Sequence, residues 1–143
     1  MNKIFDGLNP AQKEAVDCLG GPLLILAGAG SGKTKTLTHR IANLMAHGVQ
    51  PTSILAVTFT NKAANEMRMR LWSLISDVSG EPTRSFMPYM GTFHGICVKI
   101  LRIESDAAKL SKDFVIYDTD DQVSLIKRIM KNLNLGENKA LKP

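Results

Sequence analysis

Two short apolar runs, Leu23–Leu26 and Ile54–Phe59, stand between stretches in which apolar residues recur every three or four positions. Runs this short, set between turn signals, suit strands buried on both faces of a parallel sheet. The periodic stretches read as helices. The first starts at Asn9-Pro10-Ala11-Gln12, where Asn caps, Pro takes the first helical position and Gln sits in the first turn; it runs to about Leu19 and ends at Gly20-Gly21. A second runs from about Gly32 to Met45 and stops at Gly48. A third, from about Asn61 to Ile75, is apolar at Ala64, Met67, Leu71, Leu74 and Ile75.

Ser79–Pro88 holds Gly80, Pro82 and Pro88 and reads as a loop or linker. Tyr89–Phe93 is a third short strand, followed by a helix carrying Ile96, Ile100, Leu101 and Ile103. After a brief apolar run, Phe114–Tyr117, Thr119-Asp120-Asp121-Gln122 fits a capping box. It opens a helix with Val123, Ile126, Ile129, Met130 and Leu133 on one face and Gly136 as its stop. Strand–helix alternation up to Phe93 predicts an α/β parallel sheet, and the remainder is mostly helical.

Composition adds little to this picture except charge. Eighteen basic residues against thirteen acidic give a net charge of +5 and a pI of about 9.4, which suits a polyanionic partner such as nucleic acid and equally an ordinary solvated surface. Cys18 and Cys97 lie far apart and form no metal-ligand pattern, so reduced thiols in a cytoplasmic setting are expected. No apolar run approaches the roughly 20 residues of a membrane span, and the N-terminus lacks the apolar stretch of a secretory signal.

The chemistry concentrates at Ala27-Gly28-Ala29-Gly30-Ser31-Gly32-Lys33-Thr34, which follows a predicted strand and opens a predicted helix. That context is what a phosphate loop requires. Its glycines let successive backbone N–H groups converge on one anion, and the helix N-terminus adds the positive end of its dipole. Lys33 is expected to reach the β- and γ-phosphates and the Thr34 hydroxyl to hold Mg²⁺. The strict pattern begins with Gly where this chain has Ala27. The rival reading is a glycine-rich turn beside a surface lysine. The loop alone does not say what the nucleotide drives, because kinases, GTPases, transporters and helicases share it.

With these segments in view, the whole chain resembles the amino-terminal region of superfamily 1 DNA helicases of the UvrD/Rep/PcrA type. Leu8–Val16 is similar to that family's Q motif, Ala27–Thr34 to motif I, Ala56–Ala64 to motif Ia and Gly91–Gly95 to motif Ib, in the family's order. Asp113 through Leu135 resembles the start of its helical accessory domain. The fold implied is α/β: a phosphate-loop NTPase (RecA-like) parallel sheet with flanking helices, incomplete, followed by the start of a helical accessory subdomain. Residues 1–92 would be the front part of the first motor domain, and 93–143 the beginning of the accessory, 1B-like, subdomain.

The resemblance also implies roles. Lys33 and Thr34 become catalytic. ATP and Mg²⁺ are held by Ala27, Gly28, Ala29, Gly30, Ser31, Gly32, Lys33 and Thr34, with Thr34 on the metal. Gln12 would read the adenine edge, since its amide offers both a donor and an acceptor; read without the resemblance, it is a common helix-start residue. The position after Gly32-Lys33-Thr34 is usually an Arg lying on the adenine, and here it is Lys35, which lacks a guanidinium's planar stacking. Phe59, Thr60, Asn61, Thr92, Phe93 and His94 would contact single-stranded DNA. Without the resemblance, Phe59 reads as the last residue of a core strand and His94 as structural.

The activity implied is ATP-dependent 3′-to-5′ DNA unwinding in the cytoplasm, on single-stranded DNA or single/double-strand junctions, with repair or replication proteins as partners. Helicase–nuclease subunits share these motifs. Motif II, the arginine fingers and the second motor domain are expected beyond Pro143. Two rivals stand beside this. Phe114–Asp118 has the look of a Walker B strand, which would make the chain a compact phosphate-loop NTPase or kinase using Asp118. A non-catalytic ATP- or DNA-binding module is the other.

Overall fold

The computed structural model describes residues 2–76, 80–83 and 85–135. Among these, five α-helices and one two-stranded parallel sheet make an α/β arrangement. Contacts divide the chain into two compact units, Met1–Ile100 and Leu101–Pro143.

In the first unit, helix α1 spans Pro10–Asp17. Asn9 caps it through a reciprocal box: its side chain accepts the Gln12 N–H at 2.9 Å, and the Gln12 side-chain oxygen accepts the Asn9 N–H at 3.0 Å. Helix α2, Lys33–Ala46, closes at Gly48, whose φ of 89° allows the Gly48 and Val49 N–H groups to fold back onto the Met45 and Leu44 carbonyls. Strand β1, Ala56–Thr58, leads into helix α3, Asn61–Ile75, and strand β2, Met90–Thr92, leads into helix α4, Phe93–Ile103. The strands run parallel, with Ala56 opposite Met90 and Thr58 opposite Thr92. The core collects Ile4, Leu8, Val16, Ile41, Ala42, Ile54, Ala56, Met67, Leu71, Met87 and Met90. Met87 comes from the stretch that reads as a linker, where Phe86 also meets Trp72 edge-on at 5.0 Å. That loop therefore closes over the core as well as connecting α3 to β2; Ser79 and Arg84 within it lie outside the described residues.

The structure corrects the sequence reading at several points. Leu23–Leu26 is not a strand, and Leu24 and Leu26 are 80% and 86% exposed. A buried parallel strand needs ladder partners and cover on both faces. The only ladder among the described residues joins β1 to β2, so this run has neither. Strand β1 is likewise covered on one side only: Ile54 and Ala56 enter the core while Leu55, Val57 and Phe59 are exposed. Its alternation is that of a half-buried strand.

In the second unit, helix α5 spans Thr119–Asn132. Its capping box sits one residue earlier than the sequence suggests. Asp118 is the cap, accepting the Asp121 N–H at 2.9 Å, and the Asp121 carboxylate accepts the Asp118 N–H at 3.3 Å. The helix also ends before Gly136, which lies outside the described residues. Asn134 takes the left-handed conformation at φ 54°, and the Asn134 and Leu135 N–H groups return to the Lys131 and Met130 carbonyls. Asn tolerates that conformation better than other non-glycine residues, so it can terminate the helix as Gly does.

Candidate nucleotide and DNA site

The phosphate loop lies on the surface, with Gly30 and Gly32 at φ 74° and 84°. Helix α2 opens at Lys33, with Gly32 as a cap that supplies no side-chain hydrogen bond. Its first N–H groups are thus left for another acceptor, which is the condition for an anion site at a helix start. Nothing lies within 4 Å of where a side chain on Gly28 or Gly30 would begin, so open space faces the loop. Lys33 folds back over it, its Nζ donating to the Ala27 carbonyl at 2.8 Å and the Gly28 carbonyl at 2.6 Å. The Ser31 hydroxyl donates to the Gly28 carbonyl at 2.6 Å. The ammonium is thereby kept at the loop, where an incoming phosphate would compete for it. Thr34 is exposed in the first turn of α2. A single hydroxyl suits Mg²⁺, which draws most of its ligands from phosphates and water. Among the described residues no group of three or more His, Cys, Asp or Glu could hold a metal alone.

Gln12 lies against this loop. Its Nε2 donates to the Ser31 carbonyl at 3.1 Å. A Cβ on Gly32 would stand 2.8 Å from that nitrogen and 3.9 Å from the Lys35 Cβ, so Gln12 and Lys35 flank the same glycine. Lys35 is half-buried, and its Nζ donates to the Gly7 carbonyl at 2.6 Å. Further along α2, His39 Nδ1 meets the Ile4 carbonyl at 2.6 Å and Asn43 donates to the Val16 carbonyl at 3.0 Å. Arg40 donates to the Ala15 carbonyl at 2.8 Å and to that of Cys18. Sequence reasoning named Lys35 for the adenine and missed His39, Arg40 and Asn43, because their acceptors are main-chain carbonyls, which leave no signature. The one available signal was the four-residue spacing of Lys35, His39 and Asn43 on a helix.

The six residues expected to meet DNA gather at the ends of β1 and β2, which the parallel register sets side by side. Phe59 is 99% exposed and Phe93 62%, so neither finishes a core strand. His94 is exposed and meets the Phe93 ring edge-on at 5.9 Å. The Thr60 hydroxyl accepts the Ala63 N–H at 3.1 Å, and that of Thr92 accepts the Gly95 N–H at 3.2 Å, so both threonines fix helix starts. Asn61, the first residue of α3, is exposed. Arg68 ties α3 to the start of β2, donating to the Met90 carbonyl at 2.6 Å, and also donates to Asn65 within α3 at 2.8 Å. Because Leu23–Leu26 is not in the sheet, strand order does not set the phosphate loop and these corners on one crevice edge.

Asp118 has a structural task. Its carboxylate caps α5, and the Phe114–Tyr117 run before it is not a strand, with Val115 74% exposed. Among the described residues no helix is long and apolar enough to cross a membrane.

Comparison with known proteins accounts for this combination. Residues 8–143 match the UvrD/REP helicase N-terminal domain. The chain is 50% identical over 139 residues to the ATP-dependent DNA helicase PcrA of Bacillus subtilis, covering 96% of this chain and 18% of that protein. It is 46% identical over 140 residues to PcrA of Staphylococcus aureus, covering 97% and 18%. For PcrA of Leuconostoc citreum the figures are 50% over 136 residues, 94% and 18%. The chain thus spans under a fifth of the length of these relatives, and it belongs to the UvrD/REP helicase N-terminal domain family.

Proposed function

We propose that this chain is the ATP-binding front part of an ATP-dependent DNA helicase that moves 3′-to-5′ on single-stranded DNA. In this reading residues 1–92 open a RecA-like, phosphate-loop motor domain and residues 93–143 begin its helical accessory subdomain. The observation that carries it is the juxtaposition of Gln12 with an uncapped, lysine-bearing helix start at Gly32–Lys33. Backbone N–H groups of Gly28–Thr34 and the Lys33 ammonium take the phosphates. Thr34 contributes to Mg²⁺, which would neutralise phosphate charge when bound. Gln12 and Lys35 stand on the side where the base would lie. Phe59 and Phe93 offer rings for base stacking, with Thr60, Asn61, Thr92 and His94 around them, and the net positive charge adds a salt-sensitive attraction to the strand. The relatives are ATP-dependent DNA helicases, which supports the substrate class; single/double-strand junctions, repair or replication proteins as partners and a cytoplasmic setting complete the same proposal. Motif II and a second motor domain, which would activate the attacking water, are assigned to sequence outside these residues.

Two measurements test this. Calorimetric titration should show Mg²⁺–ATP binding that Lys33→Ala weakens by about 10- to 100-fold, the scale of hydrogen bonds to a charged group. Steady-state ATP turnover should be absent, because positioned charges supply most of the rate in phosphoryl transfer. Lys33-dependent turnover at helicase-like rates would overturn the assignment of the missing catalytic groups to other sequence. Unaltered binding in Lys33→Ala would overturn the site itself.

A further inference from the structure

Helix α2 begins at the phosphate loop and then grips the segment before it. Lys35, His39 and Asn43 follow one another at four-residue steps, with Arg40 beside them. All four reach main-chain carbonyls between Ile4 and Cys18. Arg40 and Asn43 hold the end of α1 through the Ala15, Val16 and Cys18 carbonyls, and Leu8 and Val16 enter the core. Of the four, Lys35 reaches the turn that leads into α1, between Ile4, whose carbonyl His39 meets, and Leu8, which enters the core. It does so at Gly7, whose φ of 65° is a glycine conformation and where a Cβ would stand 3.1 Å from the Lys35 ammonium. Gln12 follows Gly7 by one helix cap and one turn, and its amide rests on Ser31.

We propose that Lys35 is a positioning residue for nucleotide recognition: it latches the Gly7 turn to α2 and so sets Gln12 against the phosphate loop, and it does not stack on the base. The proposal rests on the reading that the loop takes a nucleotide with its base on the Gln12 side. The chemistry of the side chain favours the latch. An ammonium is a compact charge with three donors, well matched to a single carbonyl oxygen, whereas lying flat on a ring suits the planar guanidinium. A charge-assisted bond at 2.6 Å is of the stronger kind, and it engages the group that stacking would need. Removing it leaves α1 docked by Arg40, Asn43 and the core contacts of Val16, so the chain should still fold with a loosened turn.

The test uses Lys35→Met, Lys35→Arg and Gln12→Ala in the whole 143-residue chain. In the ligand-free protein, hydrogen exchange should quicken several-fold at amides of residues 5–12 in Lys35→Met while α2 and α3 keep their protection, and Lys35→Arg should restore the slow exchange. Unchanged exchange in Lys35→Met overturns the latch, even if ATP still binds. Against ATP, Lys35→Met should weaken binding several-fold in the parent background and hardly at all in Gln12→Ala, because two residues acting through one contact are not additive. An equal loss in both backgrounds would mean that Lys35 touches the nucleotide directly, and the proposal fails. A parent chain that bound no ATP would sink the nucleotide reading and the role of the latch with it, whatever the exchange data showed.

Discussion

The chain passes from non-helical backbone into helix at two kinds of corner, and they are built in opposite ways. At Gly32–Lys33, α2 opens on a left-handed glycine with no side-chain cap. At Thr58–Asn61, α3 opens on Thr60, whose hydroxyl takes the Ala63 N–H, and Thr92 does the same for Gly95 at the start of α4. Every helix start leaves about four N–H groups without partners. Where a side chain caps the start, part of that donor set is satisfied internally, and what the corner presents outward is its neighbours: Phe59 and Asn61, or Phe93 and His94. Where glycine replaces the cap, no side chain takes the donors, and the Lys33 ammonium rests on the Ala27 and Gly28 carbonyls of the same loop. The first kind offers rings and amides; the second offers a socket for an anion. The two ligands of the proposed helicase, base stack and triphosphate, divide along that line.

Phe59→Ala should give the largest effect in separating the corners. A ring that is 99% exposed contributes little to the fold, so stability should change by under about 0.5 kcal/mol. If the ring stacks on a base, its loss costs roughly 1–3 kcal/mol of DNA binding. At low salt, a labelled oligothymidine should bind Phe59→Ala about 5- to 100-fold more weakly than the parent, while ATP affinity stays the same. A folded variant that held the oligonucleotide as well as the parent would remove the DNA role from this corner. Loss of ATP affinity together with DNA affinity would show that the corners are not independent.

A smaller effect is expected at Thr60, and it concerns stability first. Replacing a capping Thr with Ala costs about 1 kcal/mol, and Ser should retain the cap. Thermal or denaturant melting of Thr60→Ala and Thr60→Ser measures this. Because the hydroxyl already accepts the Ala63 N–H, DNA affinity should fall less than in Phe59→Ala. A larger loss of DNA binding in both Thr60 variants, with unchanged melting, would mean that the side chain meets the strand directly.

How far the sequence discloses this depends on where each partner group resides. Helix α3 reads correctly from Asn61 to Ile75 because its apolar spacing is local. The same holds for the glycine stop of α2 at Gly48. Leu23–Leu26 misleads because apolar residues encode a wish for cover, not its provision. Without a neighbouring strand the run forms no regular element and stays largely exposed. Val57 and Leu55 mislead for the same reason. At the candidate site, the loop and the two phenylalanine corners are visible as residue types in order. The grip of Lys35, His39, Arg40 and Asn43 is not, because a carbonyl acceptor is the same in every residue and only the folded path brings it within reach.

The smallest effect is expected at Asp118, and it decides whether a third corner belongs with the capped ones. Asp118 precedes α5 much as Thr60 precedes α3, but its carboxylate also resembles the acid at the end of a Walker B strand. In the structure it accepts the Asp121 N–H at 2.9 Å, and its own N–H is held by the Asp121 carboxylate. Asn serves a helix cap about as well as Asp, so Asp118→Asn keeps the hydrogen bond and loses only the attraction between a negative charge and the helix dipole. That attraction amounts to about 0.3–1 kcal/mol at an exposed site. The change should be read locally, because Ile126 and Ile129 of α5 and its C-cap Leu133 are exposed and the helix depends more than α3 does on its ends. Hydrogen exchange should show slight fraying in the first turn of α5 in Asp118→Asn and clear fraying in Asp118→Ala, with Mg²⁺–ATP affinity equal to the parent in both. A large loss of Mg²⁺-dependent nucleotide affinity in a folded Asp118→Asn chain would make the carboxylate a metal partner, not a cap, and would break the division between corners that bind through side chains and the corner that binds through its backbone.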